Sequence, residues 1–304
     1  MNNQRFPTGE GAFHKVLAMN QPGTTKCGNV EFRWGERTYV MGIINLSPDS
    51  FSGDGIIDLE AAVAQAHCFV SQGADILDIG GESTRPGSAP VSIDQEIERV
   101  VPAIERLVSE VPIPLSIDTY KSEVARRALE AGATMINDQW GLKKDPRLAE
   151  LAAKRGIPLV LMSNQRDKGG YDTRLQRDTA YYEDLMGEVT SSLQKSLELA
   201  LRTGVPWENI ILDPGIGFGK TWRQDLEIIR RLEELKELGR PILIGPSRKS
   251  FIGQVLNLPV DERLEGNAAA IAIGIAKGAD IVRVHDVQQM VRACRMGDAI
   301  VRWS

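Results

Sequence analysis

The chain runs to 304 residues, enough for one large domain or two average ones, and 42% of them are hydrophobic, which is ample for a packed core. Its 41 acidic and 36 basic side chains leave a net charge of -5, the wrong sign for a dedicated nucleic-acid binder, although a local basic patch could still hold an anion. The first 25 residues lack the apolar core of a secretory signal, and the apolar tract 268–276 is far shorter than a membrane helix needs, so a soluble, cytoplasmic protein is expected.

In chain order, short apolar runs alternate with helical patterns. Strands are expected at Tyr39–Asn45, Asp75–Gly80, Pro114–Asp118, Thr134–Asp138, Pro158–Met162, Ile210–Asp213, Ile242–Gly245 and Asp280–His285. Several are rich in Ile and Val without polar alternation, as in parallel strands covered on both faces. Amphipathic helices are expected at Asp58–Gln72, Ile93–Ser109 and Ser122–Ala131, the last stopped by Gly132. Two later helical patterns end in Arg-Thr-Gly204 and Glu-Leu-Gly239, the first of them expected over Tyr182–Leu201. Eight strand–helix units in this length suit a (β/α)8 TIM barrel, with an open doubly wound sheet as the alternative. The barrel would occupy 39–304 and residues 1–38 would form an N-terminal extension, in which Val30–Tyr39 reads as a hairpin turning at Gly35 that could plug the barrel bottom. The charged segment Ser163–Ala180 reads as a mobile loop.

The three cysteines include no C-x-x-C pair and the three histidines no metal-binding spacing, so reduced thiols and no His-ligated zinc centre are expected. Chemistry concentrates at the strand ends. Asp213-Pro-Gly-Ile-Gly-Phe-Gly-Lys-Thr221 puts a carboxylate at a strand end, then a loop with three glycines, then a lysine. Gly245-Pro-Ser-Arg-Lys-Ser250 and Arg283-Val-His-Asp286 follow in the same manner. Carboxylates and amides suit a ligand with ring N–H donors, and arginine and lysine suit a negative group. Taken singly, Asp213 could equally be a turn residue, Asp118 a helix cap, Asn137 a buried amide tying loops together, Phe218 a core residue and His285 a satisfied structural imidazole.

Earlier strand ends complete the set: Met41-Gly-Ile-Ile-Asn-Leu-Ser-Pro-Asp-Ser-Phe-Ser52, Asp78-Ile-Gly-Gly-Glu-Ser-Thr-Arg-Pro-Gly87, Ser116-Ile-Asp-Thr-Tyr-Lys121 and Ile136-Asn-Asp138. This ordered series, from about Thr38 to Val287, resembles the dihydropteroate synthase family. The resemblance implies a (β/α)8 barrel that joins 6-hydroxymethyl-7,8-dihydropterin pyrophosphate to 4-aminobenzoate, making 7,8-dihydropteroate and pyrophosphate for folate biosynthesis. It implies that Asp118, Asn137, Met162, Asp213, Phe218, Gly245, Lys249 and Arg283 line a pterin pocket. Phe51, Thr84, Arg85, Pro86, Phe218 and Ser250 would approach aminobenzoate. Asn45, Arg283 and His285 would hold pyrophosphate, with Asn45 beside a Mg2+ ion. Lys249, Asp118, Arg283 and His285 would carry the catalysis. A homodimer through the late helices and sulfonamide binding are further implications. The sequence departs from the family at Gly53-Asp54-Gly55, which makes Asp54 a provisional site residue, and at Ser163, where the family usually has histidine. A corrinoid-dependent pterin methyltransferase, a pterin binder without turnover and a metal-dependent barrel hydrolase remain alternatives at this point.

Overall fold

The computed structural model describes residues 23–47, 58–83, 89–166 and 183–302. The chain enters through an antiparallel hairpin, β1 (Thr24–Cys27) and β2 (Val30–Arg33). Its turn is not at Gly35. Cys27 pairs with Val30, so the loop is the two residues Gly28 and Asn29. A glycine at the first position of a two-residue loop, here with φ 59°, supplies the backbone twist such hairpins need. Gly35, also at positive φ, lies in the connection to the next strand.

Eight parallel strands follow: β3 (Tyr39–Asn45), β4 (Ile76–Gly80), β5 (Leu115–Asp118), β6 (Met135–Asp138), β7 (Leu159–Met162), β8 (Ile210–Asp213), β9 (Leu243–Ile244) and β10 (Ile281–Val284). They lie side by side in chain order from β3 to β8, and β10 pairs with both β3 and β9. A bridge from Leu212 to Ile242 joins β8 to the start of β9, and the Leu212 amide donates to the Pro241 carbonyl at 2.9 Å. The sheet therefore closes into the expected (β/α)8 barrel rather than an open sheet.

The helices are α1 (Leu59–Gln72), α2 (Ile93–Glu110), α3 (Ser122–Ala131), α4 (Arg147–Arg155), α5 (Leu185–Thr203), α6 (Trp222–Arg230), α7 (Ser250–Leu256), α8 (Leu264–Ala276) and α9 (Val287–Val301). Their ends follow from local chemistry. The Asp58 carboxylate takes the Glu60 and Ala61 amides, and Ser92 with Gln95 and Thr221 with Gln224 form reciprocal caps. Gly73, Gly132, Gly156 and Gly204 close α1, α3, α4 and α5 in the left-handed conformation. The helical pattern ending at Gly239 is broken in two: α6 stops at Arg230 and a 3-10 stretch, Leu232–Leu238, carries the chain onward. Among the described residues no helix is long and apolar enough to cross a membrane.

Strand residues sort by parity. One set, including Ile44, Leu77, Ile117, Ile136, Leu161 and Leu212, packs outward against the helices. The other points into the barrel. There Met41, Ile76, Met135, Val160, Ile211, Leu243 and Ile281 form an apolar cluster with Cys27, Phe32 and Trp34 from the hairpin side. Phe32 lies edge-on to Tyr39 at 4.9 Å and stacks on Trp34 at 5.7 Å. The hairpin thus seals one end of the barrel with aromatic rings. This explains why the strands lack polar alternation: both faces are covered, one by helices and one by the plug.

Candidate active site

Two residues beyond that apolar layer, side-chain alternation brings the next inward positions of the same strands into one layer. They are Asp78 on β4, Asn137 on β6, Met162 on β7, Asp213 on β8 and Arg283 on β10, with Gly245 following β9. Asp118 ends β5 in register with Asn137. Six of these seven, all but Asp78, were expected from motifs as pterin-pocket residues.

Arg283 organises the layer. Its Nε donates to Asp78 Oδ2 at 2.6 Å and its Nη2 to Asp118 Oδ2 at 2.7 Å. Asn137 Nδ2 donates to the same Asp78 oxygen at 2.8 Å, and Gln139 Nε2 donates to Asp118. Burial pushes the Asp118 carboxyl up to about 8, against the attraction of Arg283 and aided by the charge of Asp78. Burial also works against the Arg283 guanidinium, but Asp78 and Asp118 outweigh it and hold its pKa above the usual value. Asp118 does not cap α3, because the Ser122 amide donates to Asp145 Oδ2 at 3.0 Å instead. Three buried polar atoms of these elements have no partner: Asp78 Oδ1, Ser116 Oγ and Gln139 Oε1. Buried acceptors are normally satisfied, so orphaned ones suit a ligand with N–H donors.

The connection from β8 to α6 forms one wall. Asp213 makes the turn the sequence allowed, its Oδ1 accepting from the Gly215 amide at 2.7 Å. Its carboxyl is raised by burial, while Lys249 and the Gly215 amide pull the other way. Lys249, just before α7, reaches back to donate to the Ile216 carbonyl and lies 4.6 Å from the Phe218 ring centroid. Burial lowers its pKa to about 8, opposed by Asp213 and Asp225. Arg166 also stands over Phe218, at 4.4 Å. Lys249 points at an aromatic ring, and Arg248, with φ 55°, forms an ion pair with Asp286 at 2.5 Å.

The anion-binding candidates separate. Arg283 is engaged by two carboxylates, whereas His285 lies past the end of β10 with Nδ1 at 2.9 Å from Ser247 Oγ. Asn45 ends β3 opposite Gly80. Ser250 opens α7 and is exposed. Ser163 is buried, its amide donating to the Asp213 carbonyl at 2.8 Å and its hydroxyl accepting from Gln165. Phe51, Asp54, Thr84, Arg85, Pro86 and most of the segment after Ser163 lie outside the described residues. Among the described residues no group of three or more His, Cys, Asp or Glu side chains could hold a metal ion.

Sequence reasoning assigned no role to Asp78, Gln139, Lys220 or Asp225. Asp78 was findable by parity, since it sits two residues after inward Ile76 and in the layer of Asn137. Lys220 was visible in the glycine stretch, but nothing in the sequence marks it as buried.

Comparison with known proteins agrees with this geometry. A family model described as pterin binding enzyme matches residues 41–285. The barrel and its mouth thus define a pterin binding enzyme. The chain is 52% identical to a dihydropteroate synthase of Clostridium beijerinckii over 279 residues, 91% of this chain and 99% of that one. It is 48% identical to the Bacillus subtilis dihydropteroate synthase, with 88% and 90% covered. A solved dihydropteroate synthase of Clostridium difficile, crystallised in the presence of pteroic acid, is similar with a TM-score of 0.81 and 49% identity over 89% of this chain and 99% of that one. The Xanthomonas albilineans dihydropteroate synthase with 4-aminobenzoic acid matches with a TM-score of 0.82 and 38% identity, covering 92% and 98%. The chain belongs to the dihydropteroate synthase family, and it is a transferase.

Proposed function

We propose that the barrel mouth carries out its family's condensation by a dissociative substitution at the pterin's exocyclic methylene. The protein joins 6-hydroxymethyl-7,8-dihydropterin pyrophosphate to 4-aminobenzoate, giving 7,8-dihydropteroate and pyrophosphate in folate biosynthesis. The observation that carries the mechanism is the buried layer in which Arg283 bridges Asp78 and Asp118 while acceptor atoms around it stay unpaired.

Asp118, Asn137 and Asp213 bind the pterin edge through its N–H donors, with Met162, Gly245 and Phe218 packing around the ring. Lys249, protonated below about 8, supplies a cation beside the ring where the leaving bond breaks. Arg283 and His285 take up the charge of departing pyrophosphate. The Asp118 carboxylate, buried and paired with Arg283, is the anion that stabilises positive charge developing on the pterin. Aminobenzoate attacks through its neutral amine, so the site needs no strong base. Phe51, Thr84, Arg85, Pro86, Phe218 and Ser250 are its proposed neighbours. Orientation and preorganised charge supply most of the acceleration.

Asn45 offers one amide oxygen, and the described residues add no acidic cluster. This donor set fits a Mg2+ ion held mainly by the substrate's pyrophosphate and by water. When bound, the ion would offset the negative charge of the leaving group. A homodimer through the late helices is supported by exposed Ile273 on α8 and exposed Met296 and Ile300 on α9.

The test is pyrophosphate release with the pterin pyrophosphate and Mg2+, with and without 4-aminobenzoate, and the product identified by mass. Aminobenzoate-dependent release with a pteroate product is expected. Pterin binding without release would mean a binder without turnover.

A further inference from the structure

The β8–α6 connection holds a second lysine that the proposed reaction does not use. Lys220 is 1% exposed, and its ammonium donates to the carbonyls of Ser163 at 2.9 Å, Gly215 at 2.9 Å and Phe218 at 3.1 Å. An ammonium has three donors, so all of them go to backbone oxygens. None of the three is a carboxylate, and a buried charge held this way is costly unless the arrangement serves some purpose.

The held segment has no strand or helix of its own. Gly215, Gly217 and Gly219 all have positive φ, and carbonyls of residues 215 to 218 are captured one after another. Lys220 takes the carbonyls of Gly215 and Phe218, Lys249 takes that of Ile216, and Arg166 reaches that of Gly217 at 3.5 Å. The Gly217 amide donates to Asp225 Oδ1 at 2.7 Å. A Cβ at Gly215 would lie 2.3 Å from the Ser163 carbonyl oxygen and 3.2 Å from the Lys220 ammonium, so the wall closes tightly around that cation.

We propose that Lys220 is a positioning residue for the reaction: by gathering three carbonyls around one ammonium, it shapes the loop that presents Phe218 to the ligand and the Ile216 carbonyl to Lys249. The inference rests on the reading of this pocket as the pterin and aminobenzoate site. Charges felt by Lys220 come from Asp225 and Asp213, which favour its cation, and from Lys249 and Lys143, which oppose it. Burial brings its pKa down to about 7, so it works near the edge of its charged range. Lys249 in turn is supported by Asp213 and Asp225 and opposed by Arg283 and Arg166. Removing the Asp225 charge therefore weakens the hold of both lysines on their protons, whereas Lys220, the more acidic of the two, has already lost its proton where Lys249 titrates.

Lys220→Met and Asp225→Asn test this against the unsubstituted protein. The readouts are thermal melting, calorimetric binding of pterin-6-carboxylate, and turnover followed across neutral to alkaline pH. Folded Lys220→Met is expected to lose about tenfold or more in kcat with KM changed by less than about threefold. Its alkaline limb, set by Lys249, should stay in place, whereas that of Asp225→Asn should move to lower pH. A loss of turnover with an unmoved limb separates a change in loop shape from a change in the charge of Lys249. Unchanged turnover per folded molecule overturns the proposal. If Lys220→Met does not fold, Lys220→Arg decides: it keeps the charge but cannot seat an ammonium among three carbonyls, so a loss of about tenfold or more in kcat with pterin binding kept supports the role, and unchanged turnover overturns it. Absence of pterin binding or pyrophosphate release in the unsubstituted protein overturns the reading of the pocket and this inference with it.

Discussion

The two ends of this barrel are built from the same eight strands and obey opposite rules. At the floor, the inward side chains are mostly apolar, and polar atoms of the plug are paired: Trp34 Nε1 donates to Thr25 Oγ1 at 2.8 Å, and the Tyr39 hydroxyl accepts the Arg33 amide at 2.8 Å. At the mouth, two residues further along, the inward side chains include Asp78, Asp118, Asp213 and Arg283, several groups have shifted proton affinities, and buried acceptors are left without partners. One end is finished by folding. The other needs a further molecule to complete its hydrogen bonds. Stability and activity are therefore written into separate layers a few ångströms apart along the same strands.

The sharpest way to break this contrast is Arg283→Met, which leaves Asp78 and Asp118 buried without their cation. Removing one partner of a buried pair costs about 3–5 kcal/mol, and kcat/KM is expected to fall by about 100-fold or more, about 2.7 kcal/mol. Chemical denaturation and steady-state kinetics on one preparation check both. Next in size is Phe32→Ala in the plug. It should cost about 3–5 kcal/mol of stability yet leave kcat per folded molecule unchanged; a matching loss of kcat would mean that floor and mouth are not independent. Lys249→Ala reverses that pattern, with turnover falling by about tenfold or more, about 1.4 kcal/mol, and little change in melting temperature. A variant with unchanged kcat/KM would remove Lys249 from the reaction.

The smallest effect asks whether position at the mouth is enough to make a carboxylate functional. Asp145 lies on that side of the barrel, but its bonds are structural: it accepts from the Ser122 amide and from Arg147. Burial pushes its pKa up, yet Arg147 and Ser122 outweigh this and hold it below the usual carboxylate range. Its folded-state pKa is depressed, so its stabilising effect is present above the unfolded value near 3.8 and is lost as pH falls below that. Asp145→Ala should cost about 1 kcal/mol at neutral pH, like loss of a helix cap. The difference should vanish in acid and kcat should not move, as paired melts at neutral and acid pH and an assay would show.

The strands were legible in the sequence to within a residue or two, because Val and Ile runs bounded by turn residues carry their own signature. β3 and β8 begin and end where expected, and α3 does as well. The hairpin turn was misplaced because Gly28 and Gly35 both offer positive φ, and only the pairing of Cys27 with Val30 separates them. The short α4 escaped notice, since nine residues behind a proline give little periodicity to read. At the mouth, motif order marked Asp118, Asn137, Asp213, Lys249 and Arg283. It could not show that Arg283 is shared by two carboxylates or that His285 turns to Ser247, because such pairings depend on which strands meet across the barrel.

The aromatic plug has one more consequence. A cup sealed at its base has a single doorway, and everything that reacts inside must queue there. Whatever lodges against the Arg283 layer has to enter first and leave last, and a second molecule seated nearer the rim bars its exit. The order of arrival at this enzyme is thus set at the opposite end from its chemistry, by Phe32, Trp34 and Tyr39.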